Sequence, residues 1–212
     1  MRLSLKTLVP ILHHRTNPMS QNASSPPLIV DSAAMTEDDL YRENVNRLMQ
    51  ARSTEIISNG LPRHAAALFE CFFRNALSEV KIVCSNLQRE VFDAPDVLSS
   101  FASAARRGVS IQILVQNAPA EGSEFVKLFS QLRDADHGSL CIETEAATKS
   151  PMAKSRRENF AVMDRKSFRY EVDPSKCEAV ASMNLPAIAV KLCQVFDRLY
   201  ASVQIPGNLA AA

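Results

Sequence analysis

The chain has 212 residues, of which 46% are hydrophobic and 22% charged, with a formal net charge of +1. That length and apolar share suffice for one packed domain with tails. So small a charge excludes a chain-wide basic field that would gather nucleic acid unaided, leaving only a local basic patch for that purpose. No apolar run approaches the eighteen or so residues of a membrane helix, and no membrane span is expected.

Residues 1–35 read as a tail. Up to residue 30 they carry Arg2, Lys6 and Arg15 without an acid, and the apolar piece LVPIL is short for a secretory core. QNASSPP after it is linker-like. A disordered tail or over-long gene start, a cryptic targeting peptide and a membrane-surface contact all compete here, and Met19 or Met35 could begin a shorter product. These residues offer little to offset the entropy of ordering them, so folding should not need them.

One domain is expected over residues 36–204, with 205–212 as a short tail. Thr36 with Asp39 three positions on forms a relative of the capping box, predicting a helix from Thr36 to about Ser58. Asn59 and Gly60 end it. Pro62 suits the first turn of a second helix, 62–77, whose Phe69, Phe72 and Phe73 fall at core spacing rather than forming a stacking platform.

From Val80 the period changes. VKIVCS reads as a buried strand, DVLSSFASAARRG as a helix stopped by Gly108, and VSIQILVQ as the next strand. SEFVKLFSQLRD is a helix and SLCIE a third short strand. Two successive strand-helix-strand units imply parallel pairing. NFAVMD and SFRYEV, two residues apart across RK, predict a hairpin added to the sheet, and a last helix covers about 186–202 with Ile188, Leu192, Val195, Phe196 and Leu199 inward. The fold class expected is α/β, with a mixed, largely parallel sheet of five or six strands and helices on both faces.

Common chemistries find little in this sequence. The five cysteines, Cys71, Cys84, Cys141, Cys177 and Cys193, include no CxxC pair and read as reduced thiols of a cytoplasmic protein, with Cys177 in the more polar surroundings. Cys84 precedes Ser85 and Asn86 at the end of a predicted parallel strand, where ligands of open α/β sheets bind, yet no histidine is placed to activate it. His13 and His14 lie in the tail, His64 on the second helix and His137 in a turn. No metal-ligand spacing and no phosphate-binding glycine loop occur, so neither a metal nor another cofactor is expected.

From Arg74 onward the phrases SEVKIVCSN, AARRGVSIQILV, RRENFAVMD and ASMN, in that order and spacing, resemble the phospholipase D-like superfamily. The resemblance implies a single module of the kind that pairs into homodimers. Its active members use a histidine that attacks phosphorus, a lysine two positions on and an aspartate five beyond that. The matching residues here are Arg157, Asn159 and Asp164, with Ser182 and Asn184 at the remaining polar element. An arginine has no lone pair to attack with, and an asparagine brings no charge to a phosphoryl group. The resemblance therefore implies no catalytic residue and a catalytically inactive module that binds or regulates, with a degenerate phosphodiesterase or nuclease as the alternative. Lys149, Lys154, Arg156 and Arg157, crowded into ATKSPMAKSRREN, are the candidate phosphate-binding residues for a DNA or RNA backbone, or else contacts for an acidic protein partner.

Overall fold

The structure is a computed structural model and describes residues 35–117, 119–135, 140–144, 159–173 and 178–204. In chain order the elements are α1 (Glu37–Gln50), β1 (Ile57–Asn59), α2 (Pro62–Asn75), β2 (Glu79–Cys84), α3 (Arg89–Phe92), α4 (Pro95–Arg106), β3 (Ser110–Val115), α5 (Glu124–Asp134), β4 (Leu140–Thr144), β5 (Phe160–Met163), β6 (Ser167–Asp173), β7 (Glu178–Ser182) and α6 (Pro186–Gln204).

Helix α1 starts where the capping box places it, with Asp39 N–H donating to Thr36 Oγ1 at 3.2 Å and Thr36 N–H to Asp39 Oδ2 at 3.1 Å. It stops eight residues before the expected end. Arg52 turns left-handed at φ 48°, Ser53 N–H reaches Leu48 O at 2.9 Å and Arg52 N–H reaches Met49 O at 3.1 Å. This is the helix stop that glycine usually signals, built here without one, so the sequence does not announce it. The β-branched residues that follow are released into β1.

Seven strands lie in the order β1-β7-β6-β5-β2-β3-β4. The expectation of a largely parallel sheet is overturned: only β2–β3 and β3–β4 are parallel, and the other four pairs are antiparallel. Helix-length crossovers, which parallel pairing needs, occur only through α4 and α5. The short connections β5–β6 and β6–β7 reverse the chain, and β1 and β7, two strands the sequence pattern does not reveal, add a further antiparallel pair.

Residues alternating along the strands face two layers. Val80, Ile82, Ile111, Ile113, Ala161 and Ala181 join a core with Phe72, Phe73 and Phe101 of α2 and α4. Arg107, at the end of α4, donates from one guanidinium nitrogen to the carbonyls of Phe73, Arg74 and Ala76 at 2.7, 3.2 and 3.3 Å, closing the end of α2. On the opposite face Lys81 is only 5% exposed and holds α6, with its ammonium 2.6 Å from Asp197, 3.3 Å from Glu79 and 5.5 Å from the centre of the Phe196 ring. Burial opposes that charge, but the two carboxylates outweigh it and raise the Lys81 pKa.

Candidate functional site

The parallel strands end together at one edge of the sheet, where Cys84, Val115 and Thr144 stand. Strand β5 runs against β2, so its amino end lies at this edge as well. Asn159, which precedes β5, and Glu171 on β6 are paired there through Glu171 N–H donating to Asn159 O at 2.9 Å.

Their side chains form a polar chain across three strands. Ser85 Oγ donates to Asn159 Oδ1 at 3.0 Å, Asn159 Nδ2 donates to Glu171 Oε2 at 2.6 Å, and Arg169 donates to Glu171 Oε1 at 2.8 Å. Alternation along β6 puts Arg169 and Glu171 on one face, with Phe168 and Tyr170 on the other. Arg169 is 4% exposed and its guanidinium lies 5.8 Å from the centre of the Phe69 ring. Ser85 is held in turn by Asn117, whose backbone and side-chain N–H groups both donate to Ser85 O at 2.9 Å.

A cavity of about 30 Å³ lies against this chain, lined by Asn159, Arg169 and Glu171, by Phe69 and Phe92, and by Pro62 at the start of α2. Cys84 also lines it. Burial, with the Glu171 carboxylate adding and Arg169 opposing, pushes the Cys84 thiol well above the usual range, so it stays protonated and offers no nucleophile. No cluster of metal-ligating side chains occurs among the described residues.

The sequence candidates are dispersed. Asn159 stands in the cleft, whereas Asp164 follows β5 at the opposite edge of the sheet, about 16 Å of extended chain away. There its carboxylate accepts the N–H groups of Leu77, Ser78 and Glu79 at 2.9, 2.9 and 3.0 Å and the Ser78 hydroxyl at 2.8 Å. Ser182, paired with Phe168, and Asn184, which donates to Arg52 O at 3.1 Å, also lie towards that far edge. His64 is used between α1 and α2, stacked on Tyr41 at 4.0 Å with Nε2 3.7 Å from Asp38. Burial lowers its pKa against the pull of Asp38. Lys149, Lys154, Arg156, Arg157, His137 and Cys177 lie outside the described residues.

Arg169 and Glu171 are the cleft residues that sequence reasoning missed. Their signal was available: two opposite charges at alternate positions in SFRYEV, on a strand whose neighbours in the sequence are aromatic.

No family model and no curated protein matches the sequence. Among solved structures the similarities are at low identity. Nuc from Salmonella typhimurium, a phospholipase D family member, is 14% identical over 70% of this chain and 96% of its own, with a TM-score of 0.48. NucT from Helicobacter pylori is 15% identical over 70% of this chain and 98% of its own, with a TM-score of 0.49. TrmBL2, an archaeal chromatin protein, is 12% identical over 78% of this chain and 60% of its own, with a TM-score of 0.48. These similarities assign no residue a role.

Proposed function

We propose that the protein is a catalytically inactive phospholipase D-like module that binds the phosphate backbone of DNA or RNA as a homodimer. The observation that carries this reading is the engagement of Asn159 within the protein, its carbonyl accepting from Ser85 and its amide donating to Glu171. A phosphoryl-transfer site needs donors and a cation left open to the substrate. Here the position that matches the family's lysine is neutral and occupied, and the position that matches its histidine is Arg157.

Binding is supported by where the basic segment is tethered. Thr144 and Asn159, the described residues that flank residues 145–158, both stand at the carboxyl edge. Lys149, Lys154, Arg156 and Arg157 belong to that segment in the sequence. Four such groups from each of two copies would contact several phosphates, giving affinity without base reading.

Fluorescence anisotropy with labelled duplex DNA and single-stranded RNA across a salt series tests the reading. Binding should be indifferent to sequence and weaken by ~10²-fold between about 50 and 200 mM salt. Lys154→Glu with Arg156→Glu should weaken it with the melting temperature unchanged. No binding at 50 mM salt, or equal binding by that variant, would transfer the role to an acidic protein partner.

A further inference from the structure

We infer that Glu171 is a built-in occupant of the cleft: its carboxylate takes the donors that would otherwise receive an oxyanion, and it keeps the phosphates of a bound partner out of the cleft. The inference rests on the binding-module reading for the identity of that partner.

Two side-chain donors converge on the cavity. Asn159, 8% exposed, presents its amide, and Arg169, 4% exposed, presents its guanidinium. Helix α2 begins beside them, with Pro62 in the cavity wall. A buried guanidinium beside an amide donor makes an anion site. In this protein each oxygen of Glu171 accepts one of the two side-chain donors, at 2.6 and 2.8 Å. The guanidinium and carboxylate cancel in charge. Arg169 Nε, buried at the same place, has no hydrogen-bond partner among the described residues, so the donor set exceeds what Glu171 uses.

A phosphate from solution would have to displace a tethered carboxylate whose local concentration is far above its own. It would also have to fit beside that carboxylate in about 30 Å³ while facing like charge. Glu171→Ala removes both obstacles and leaves Arg169 and Asn159 unopposed. Glu171→Gln keeps the volume and the bond to Asn159 but removes the charge.

The test is a titration of the full chain with inorganic phosphate, followed by the NMR signals of Arg169 Nε–H and of the Asn159 side-chain amide. In the wild type neither signal should show a saturable shift at tens of millimolar phosphate. In both variants the signals should saturate, with an affinity at least ~10-fold higher, and adding Arg169→Met to Glu171→Ala should abolish the gain. Saturable shifts of equal affinity in the wild type would overturn the inference. So would either variant, folded by its amide spectrum, that binds phosphate no more tightly. The titration reads the cleft and the anisotropy reads the basic segment, so failure of one leaves the other standing.

Discussion

Asp164 shows how a residue in a suggestive motif position can serve the fold instead. It and Arg165 adopt positive φ values of 50° and 56°, with Lys166 N–H returning to Met163 O at 3.0 Å, the geometry of a tight hairpin turn. Asp tolerates that conformation, and its carboxylate gathers three backbone N–H groups and a hydroxyl that lead into β2. Burial pushes the Asp164 pKa up, but the hydrogen bonds from Glu79, Leu77 and Ser78 outweigh it and hold the pKa below its ordinary 3.8. The stabilisation is therefore complete above the ordinary value and is lost as pH falls through the lower, folded one. Asp164→Asn should cost about 2–3 kcal/mol in urea unfolding at pH 7, and the difference should shrink towards zero in strong acid. A difference independent of pH would assign the effect to turn geometry alone.

At the scale of elements, the joint between α2 and α4 rests on one side chain. Arg107 is the arginine of AARRG that does structural work: both it and Arg106 are exposed, but one guanidinium nitrogen of Arg107 donates to three carbonyls at the end of α2 and the other to Ser103 Oγ. Arg107→Ala should destabilise by about 1–2 kcal/mol and speed hydrogen exchange at the α2 C-terminus, while Arg106→Ala should stay within about 0.5 kcal/mol. Arg107→Lys should rescue in part, because an ammonium can reach the same carbonyls but cannot also donate to Ser103 Oγ. Equal effects of Arg106→Ala and Arg107→Ala would reduce both to helix-dipole charges. Expectation and structure part where the stop signal is tertiary or unmarked: α1 ends at a left-handed arginine rather than a glycine. β7, with the small residues Ala179 and Ala181 buried in it, lacks the bulky apolar run that marks β2 and β3.

For the whole molecule, the homodimer is tested by light scattering at micromolar concentration. Twice the 23.4 kDa of one chain is expected, and a monomer mass would remove the paired basic segments from the binding proposal. Among the described residues no helix is long and apolar enough to cross a membrane. The sequence by itself determined the elements with strong local signatures: the capped start of α1, Pro62 opening α2, the apolar runs of β2 and β3, the β5–β6 hairpin, and the apolar face of α6. It also determined that positions 157 and 159 carry no attacking group and no lysine, because residue chemistry needs no coordinates. Only the tertiary structure decided that β5 enters beside β2 in the opposite sense, since strand order and direction depend on long-range pairing that a local pattern does not encode. From that reversal follows the meeting of Ser85, Asn159, Arg169 and Glu171, residues at the ends of β2 and β5 and on β6 whose contact exists only once the sheet has closed around them.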